Sequence, residues 1–242
     1  MASIYSSLVA ALSHRDVISD AEKSLIETFV GRTKSFSVND EIVAEGSTPT
    51  EACLVLSGFA GRIHYFLDGR RQFSALHHSG DFVDLHSLVL KVMDHSVVAL
   101  TPCTVVFITH DSIRSATEKS PHLGRLLWML TVVDAAIHRA WLVSLARRPA
   151  TAHVAHFMCE VFTRLSVVGL TDNNSFAFPI RQGDLADLIG ISAVHLNRSV
   201  QTLRKSGLIK WKDGILTIPD PEALFDFAEF NPTYLSLTKR PR

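Results

Sequence analysis

The sequence has few cysteines, no excess of charge of either sign and no long apolar run. Its three cysteines, Cys53, Cys103 and Cys159, are far apart in the chain. This spacing excludes a disulfide framework and a Cys-x-x-Cys metal site, and it is typical of the reducing cytoplasm. No apolar run approaches the roughly 20 residues that span a bilayer, and residues 1–14 lack the basic flank of a signal peptide. We therefore expect a cytoplasmic protein without a membrane partner.

A net charge of zero argues against a nucleic-acid partner if the charge is evenly distributed, because proteins that bind nucleic acids usually carry a basic excess. The 242 residues contain 24 basic and 24 acidic side chains, but these are unevenly distributed. Residues 1–146 carry 12 basic and 15 acidic residues, whereas residues 147–242 carry 12 and 9. Within residues 181–212 there are six basic and two acidic residues. The neutral total therefore conceals a basic segment near the C-terminus.

The first half of the chain has the sequence pattern of a small domain built mainly from β-strands. Residues 15–30 have the spacing of a short amphipathic helix. From Thr33 to about Thr109, short apolar runs alternate with turn residues, and the Asp68-Gly69 pair is typical of a β-hairpin. Many short strands at this spacing indicate a β-roll, barrel or sandwich.

The apolar period becomes helical after Asp111, with a short helix expected at 112–118 and a long one from Pro121 to Arg148. One apolar stripe of the long helix has heptad spacing, and we interpret it as a dimer seam: Leu126, Leu130, Val133, Ile137, Ala140 and Ser144. A second stripe is expected to pack against the β-domain: Leu127, Trp128, Val132, Ala136 and Val143. The alternative is a single buried core helix. We favour the dimer, because two apolar faces require two partners.

The C-terminal part has the pattern of a winged helix-turn-helix. Pro149 marks a hinge because it disfavours a helical conformation at the preceding residue, and a helix is expected at 150–168. A helix at 182–189 is then broken by Gly190, and a second begins after Ser192, a favourable N-cap. The second helix runs to about Lys205, and a hairpin around Asp213-Gly214 forms the wing.

A helical wheel separates the second helix into two faces. Leu196, Val200 and Leu203 lie together and form the predicted buried face. The opposite face and the wing are predicted to contact DNA through Ser192, Ala193, Val194, His195, Asn197, Arg198, Gln201, Thr202, Arg204, Lys205, Lys210 and Lys212. Arg198 is suited to bidentate hydrogen bonds with guanine, and the last four basic residues are suited to phosphates. The alternative is a solvated face on helices that contact protein.

The sequence resembles the Crp/Fnr family of bacterial transcription regulators over nearly its full length. Residues 178–209 are very similar to the winged helix-turn-helix of that family, and residues 57–86 resemble its cyclic-nucleotide-binding β-roll: FPIRQGDLADLIGISAVHLNRSVQTLRKSGLI and SGFAGRIHYFLDGRRQFSALHHSGDFVDLH. The resemblance implies a homodimer joined through the long helix. It also implies base reading by Ala193, Val194 and Arg198, and phosphate contacts by Ser192 and His195.

The resemblance does not extend to the residues that bind a cyclic nucleotide in this family. Such members have a Gly-Glu-Leu segment and an Arg followed by Ser or Thr, and here His95 stands at the expected Arg. We therefore expect no cofactor and no response to cyclic AMP, and the identity of the effector stays open. The candidate effector pocket, or a structural polar network in its place, consists of Asp84, His86, Asp94, His95 and Ser96. No metal ligand set and no catalytic residue are assigned.

These observations predict an α+β protein with a β-roll sensor domain at 1–120, a dimerisation helix at 121–148 and a winged helix-turn-helix DNA-binding domain at 149–242. We expect a homodimeric regulator that binds a palindromic site in double-stranded DNA, with RNA polymerase as a candidate further partner. One alternative is a haem- or metal-sensing regulator of the same fold. A weaker one is a metal-dependent hydrolase that uses Asp81, Asp84, His86 and His95.

Overall fold

The computed structural model describes residues 3–242, and two short helices precede the first strand. Helix α1 (Ser6–Ser13) was not predicted from the sequence; its Leu8 and Leu12 are fully buried. Helix α2 (Asp20–Glu27) is shorter than the predicted 15–30 because a capping box fixes its start. In this box the Ser19 side chain accepts from the Glu22 backbone and the Glu22 side chain accepts from the Ser19 backbone.

Seven antiparallel strands then form the predicted roll from two sheets. The first sheet has the order β1-β7-β3 and the second has the order β2-β6-β4-β5. The strands are β1 (Gly31–Phe36), β2 (Glu41–Val43), β3 (Glu51–Ser57), β4 (Ala60–Tyr65), β5 (Arg71–His77), β6 (Ser96–Ala99) and β7 (Cys103–Thr109). A short 3-10 turn, Leu85–Leu88, lies between β5 and β6. Apolar side chains from both sheets, including Val55, Val97 and Val105, pack together as one core.

The hairpin between β4 and β5 forms at the predicted position. Tyr65 pairs with Arg71 at the end of the two strands. Gly69 in the turn has a φ of +81°, a backbone conformation that glycine adopts without steric cost. The Phe66 N–H donates to the Arg70 carbonyl over 2.8 Å and closes the turn.

Two helices follow the roll, and the second is the long helix expected from the sequence. Helix α3 (His110–Lys119) is capped by Thr109, and helix α4 (Pro121–Arg147) is capped by Ser120, whose hydroxyl accepts from the Leu123 N–H. Helix α4 ends because Arg148 is extended, with a ψ of 142°, ahead of Pro149. The break in the helix is therefore at the predicted position, and its action as a hinge stays a prediction.

By length and composition alone, α4 is the one helix among residues 3–242 that is long and apolar enough to cross a membrane. Seven of its residues are nevertheless buried against the rest of the chain. Its central residue Asp134 forms an ion pair with Arg62 of the roll at 3.0 Å. These contacts are typical of a helix that packs on a protein core.

The C-terminal domain contains four helices and a small antiparallel sheet of order β8-β10-β9. Its elements are α5 (Ala150–Val167), β8 (Ser175–Ala177), α6 (Gln182–Ile189), α7 (Ala193–Lys205), β9 (Lys210–Lys212), β10 (Ile215–Thr217) and α8 (Pro221–Ala228), followed by a 3-10 turn at Pro232–Leu235. The predicted helix-turn-helix and wing are thus both present.

The C-terminal domain rests on the roll through strand β5. Arg71 of β5 forms ion pairs with Asp184 at 2.5 Å and with Asp187 at 2.7 Å, both on α6. The neighbouring Gln72 side chain donates to the Asp187 carbonyl over 2.7 Å. These polar contacts fix the position of the helix-turn-helix relative to the roll.

Candidate nucleic-acid interface and roll cavity

The turn between α6 and α7 fixes how the second helix is presented. Gly190 has a φ of +74° and donates its N–H to the Ala186 carbonyl, so it ends α6 in a left-handed conformation. Two residues later, the Ser192 hydroxyl accepts from the His195 N–H over 3.2 Å and begins α7. Both features are local, and the sequence predicts both.

Helix α7 is held by the face that the helical wheel predicts. Leu196, Val200 and Leu203 are buried, and Ser199 between them is buried as well. This face packs mainly on α5 and α6. Because the inward face is fixed by apolar burial, the opposite face must point to solvent.

All twelve residues predicted to contact DNA are exposed on this domain. They are Ser192, Ala193, Val194, His195, Asn197, Arg198, Gln201, Thr202, Arg204, Lys205, Lys210 and Lys212. Among residues 3–242, no carboxylate lies within ion-pair distance of Arg198, Arg204, Lys205 or Lys210; Lys212 has only the weak partner Asp213 at 3.8 Å. The cationic groups on this surface are therefore available to an external anion. Their contact with DNA stays a prediction.

The wing presents its lysines by strand alternation. Asp213 and Gly214 both have positive φ, 51° and 75°, which is the conformation that a two-residue hairpin of type I′ requires. In β9, Trp211 points inward and packs on Phe178 with ring centroids 5.6 Å apart. Lys210 and Lys212, one residue to either side, consequently point outward.

The predicted dimer seam on α4 is wrong in its choice of face. Within that seam, four side chains are buried against the same chain and the other two are half-buried: Leu126, Val133, Ile137 and Ser144, then Leu130 and Ala140. Helix α3, helix α5 and the Pro232–Leu235 turn pack on α4. Heptad spacing shows that a helix has an apolar stripe, but it does not distinguish an intrachain neighbour from a second copy.

The second stripe, expected to pack on the β-domain, is instead largely exposed. Trp128 is 69% exposed, Val132 49% and Val143 61%, and Leu142 beside them is 67% exposed. Only Leu127 of that stripe is fully buried. The unpartnered apolar surface of α4 is therefore defined by Trp128, Val132, Leu142 and Val143, and we call it the outer face of α4.

The roll and α4 enclose a cavity of about 420 Å³, which we call the roll cavity. Of the five predicted effector-pocket residues, His86, Asp94 and His95 line it. The other two serve the framework. Asp84 is buried and accepts from the Cys53 N–H over 2.6 Å, and Ser96 accepts from the Glu45 N–H over 3.0 Å. Burial raises the pKa of Asp84 to about 7.

The arginines that line the roll cavity already have partners. Arg62 donates to Asp134 over 3.0 Å, and Arg164 donates to Asp81 over 2.7 Å. Although burial raises its pKa, Asp134 has a lowered pKa because Arg62 is adjacent. The third, Arg15, donates to two backbone carbonyl groups, at 2.7 and 3.3 Å. A phosphate entering this cavity would meet no arginine that lacks a partner among residues 3–242.

Several histidines of the roll cavity are neutral for a simple physical reason. Burial lowers the pKa of His77 to about 3 and that of His95 to about 4, and the nearby Arg62 adds to both effects. Burial also lowers the pKa of His86. At neutral pH these rings therefore carry a nitrogen lone pair and no charge.

Sequence reasoning missed the polar contact between β4 and α4. Arg62 meets Asp134, 72 residues away, and also lies 2.9 Å from the His138 ring nitrogen. No sequence-spacing rule connects a strand residue with a helix residue 72 positions later in the chain. The available signal was the presence of an acid and a histidine, four residues apart, on an otherwise apolar helix.

Comparisons with known families agree with this architecture. Residues 33–120 match the family model for a cyclic nucleotide-binding domain, and residues 152–227 match the one for a Crp-like helix-turn-helix domain. The two matches occur in the order in which the roll and the helix-turn-helix follow each other in the structure. These families favour a regulator over the metal-dependent hydrolase.

Two curated relatives extend over most of the chain. The transcriptional activator protein FnrL of Cereibacter sphaeroides is 23% identical over 203 residues, which cover 82% of this chain and 81% of that protein. The nitrogen fixation regulation protein FixK of Bradyrhizobium diazoefficiens is 26% identical over 193 residues, which cover 79% of this chain and 80% of that protein.

Solved structures share the fold at low sequence identity. FixK2 from Bradyrhizobium japonicum superposes with a TM-score of 0.73 at 22% identity, covering 82% of this chain and 97% of that chain. A transcriptional regulator of the CRP family from Thermus thermophilus gives 0.62 at 18%, covering 81% and 96%. With both domains matched in order and relatives along most of its length, the chain belongs to the Crp/Fnr family of transcription regulators.

Proposed function

We propose that this regulator is a homodimer that reads a palindromic DNA site with α7 and does not respond to cyclic AMP. The observation that carries the proposal is the division of α7 into two faces. Leu196, Val200 and Leu203 are buried, while every residue predicted to contact DNA is exposed. A chromosomal target implies action in the cytoplasm, with RNA polymerase as a further partner.

The proposed readout assigns different tasks to the residues of the exposed face. Arg198 lies in the middle of α7, where a guanidinium can bind guanine O6 and N7 as a pair. Ala193 and Val194 at the start of the helix suit contact with a thymine methyl group. Arg204, Lys205, Lys210 and Lys212 lie at the end of the helix and on the wing, and suit phosphate contacts that depend on salt.

The proposed dimer joins two chains through the outer face of α4. Trp128 and Val132 in its first half and Leu142 and Val143 near its end are exposed apolar side chains on one side of the helix, with the exposed Ala135 and Arg139 between them. A second copy of the same helix has a complementary strip, so a two-fold contact would cover both. Such a dimer would present two copies of α7 to half-sites about 34 Å apart.

Cyclic AMP is disfavoured by the charges of the roll cavity. A buried cyclic phosphate requires a guanidinium fork that is free to bind it. The two cavity arginines nearest the roll strands, Arg62 and Arg164, are held by Asp134 and Asp81. Ser96 follows His95, which stands at the position of the missing arginine. Its hydroxyl already accepts a hydrogen bond from the Glu45 N–H.

DNA reading is tested with selection from a duplex library at two salt concentrations, followed by two matched arginine variants. Arg198→Ala should relax base preference at one position in each half-site by about 1–3 kcal/mol. Arg204→Ala, on the same helix, should weaken binding to all sequences alike and reduce the salt slope by about one. An unchanged base preference in Arg198→Ala would show that the recognition residue is misassigned. No binding to any duplex at low salt would favour a protein partner for α7.

The dimer is tested by sedimentation of two variants that carry the same substitution. Val132→Arg puts a charge on the outer face of α4 and should yield monomers at concentrations where the natural chain is dimeric. Val30→Arg is the control, because Val30 is equally apolar and 66% exposed but lies directly before strand β1 of the roll. Dimers that persist in Val132→Arg would exclude this interface.

The absence of a cyclic AMP response is tested by calorimetric titration of the full chain. We expect no binding heat at millimolar nucleotide and no change in DNA affinity. Saturable binding that is removed by Arg62→Gln would overturn this part of the proposal and leave DNA reading intact.

A further inference from the structure

We propose that His86, Asp94 and His95 bind a divalent first-row transition-metal ion at the edge of the roll cavity. One ligand atom from each residue lies within 4.8 Å of the other two. His86 belongs to the 3-10 turn, and Asp94 and His95 immediately precede β6, so two neighbouring segments supply the three side chains. The site belongs to the roll alone, and its test does not depend on DNA binding.

His95 is the central group of this cluster. It is 3% exposed, and its Nδ1 lies 2.7 Å from the Asp94 carboxylate. Its other ring nitrogen, Nε2, is buried and has no hydrogen-bond partner among residues 3–242. A buried ring nitrogen without a partner is unfavourable unless a ligand occupies it. To serve as a ligand for an ion on Nε2, the Asp94 carboxylate has to turn away from Nδ1 toward the ion, and its side chain is 77% exposed and free to do so.

His86 presents a second buried nitrogen of the same kind. Its Nε2 has no partner within the described chain, and its ring centroid lies 5.3 Å from that of His95. The ring of His64 is farther from His95, at 6.2 Å, and its Nε2 lies 3.4 Å from the Ser74 hydroxyl. The Nε2 of His77, which also lines the cavity, is likewise buried without a partner among residues 3–242, but His77 is not part of the group whose ligand atoms lie within 4.8 Å of one another.

The chemistry of the cluster favours a cation over an anion. Two neutral imidazoles and one carboxylate form an N,N,O set, which suits Zn²⁺, Co²⁺ or Fe²⁺ and leaves coordination positions open. The Asp94 carboxylate would repel an anion, and Arg62 nearby is neutralised by Asp134. Metal bonds of about 2.0–2.1 Å would bring the ligand atoms to roughly 3.4 Å from one another. Asp94 can adapt to this geometry because its side chain is largely exposed.

The test measures metal binding by the full chain without a histidine tag, after treatment with a chelator. Equilibrium dialysis with Zn²⁺, and with Fe²⁺ in the absence of oxygen, is followed by elemental analysis. We expect about one ion per chain. Co²⁺ should produce the visible absorption of nitrogen and oxygen ligation. His86→Ala and His95→Ala should each weaken binding at least about tenfold, and Asp94→Asn should weaken it as well.

Two histidine controls make the assignment specific. His64→Ala changes a ring in the same cavity but outside the cluster, and His14→Ala changes an exposed ring elsewhere; both should retain full affinity. The His86→Ala variant should also unfold at nearly the temperature of the metal-free natural chain, because the His86 Nε2 has no hydrogen-bond partner among residues 3–242. His95→Ala loses a buried ring and its hydrogen bond with Asp94, so a lower unfolding temperature is expected for that variant. A stoichiometry near zero, or equal losses in the His64→Ala variant and the cluster variants, would overturn the proposal. So would unchanged affinity in His86→Ala and His95→Ala.

Discussion

Replacing Arg164 with methionine should destabilise the whole chain, because this one side chain joins the two domains. Arg164 is in α5, is 9% exposed and donates to Asp81 of the roll over 2.7 Å. It also donates to the Leu76 carbonyl over 2.9 Å and to Glu160 over 3.2 Å. Methionine has a similar length but carries neither the charge nor the donors.

The size of the expected stability loss follows from Glu160, the buried acid that loses its cation. Glu160 is fully buried, and burial raises its pKa. Without Arg164 it retains two neutral donors, Trp141 at 2.9 Å and Tyr234 at 2.8 Å. Removing one partner of a buried ion pair typically costs about 3–5 kcal/mol. For a chain of this size, each kcal/mol lowers Tm by about 2–4 °C, so we expect a loss of roughly 6–20 °C.

The assay is thermal unfolding followed by circular dichroism at pH 7, with Arg114→Met as the matched control. Arg114 also pairs with an acid, Asp111, but the two side chains are 44% and 93% exposed. Exposed ion pairs contribute little, so the control should unfold close to the natural chain. A Tm loss in Arg164→Met no larger than that of the control would refute the argument.

A double variant tests the cause of the loss. Glu160→Gln removes the buried charge that Arg164→Met leaves without its cation, while the amide oxygen can still accept from Tyr234. The double variant should therefore be more stable than Arg164→Met alone. Additive losses would contradict the coupling between Arg164 and Glu160.

Three further predictions concern stability. Thermal unfolding should show a larger loss of Tm for Gly58→Ala than for Gly46→Ala. Both glycines have positive φ, but an added Cβ at Gly58 collides with a backbone carbonyl oxygen, whereas Gly46 faces open space. Ser192→Ala should cost about 0.5–2 kcal/mol in urea unfolding, because α7 loses its cap, and Ser192→Thr should retain most of that stability. The hydrogen bond to Glu22 raises the pKa of His122, so this histidine stabilises the chain below its unfolded pKa of about 6.5, and the effect is lost as pH rises through the folded value. The stability difference between the natural chain and His122→Gln should accordingly be larger at pH 5 than at pH 8, and an equal difference at both would contradict this assignment.

Features set by neighbouring residues were predictable from the sequence. The Asp68-Gly69 turn, the end of α4 before Pro149 and the Gly190 turn followed by the Ser192 cap all rest on backbone chemistry within a few residues. The buried face of α7 was predictable as well, because its three apolar residues have helical spacing and, apart from Val194, the remaining positions are polar or small.

Features set by distant packing were not predictable in the same way. Helix α4 has apolar residues on two sides, and only the folded roll shows which side it buries. Two ion pairs join residues more than 70 positions apart in the sequence: Arg62 with Asp134, and Arg71 with Asp184 of α6. Helix α1 was missed because its polar residues are few and its pattern is nearly featureless before the roll exists to cover it.

The ion pairs between Arg71 and α6 also change how the charge of the C-terminal domain should be counted. Residues 181–212 contain two acids, Asp184 and Asp187, which reduce the basic surplus of that segment. Both acids are bound to Arg71 on the side of α6 that faces the roll, and Asp184 is buried there. Neither carboxylate therefore offsets the cations on the exposed face of α7. Asp184 also pairs with Arg181 of the same segment, so five of its six cations remain on the surface that we propose for DNA, against a segment surplus of four. The roll contributes to this difference through Arg71.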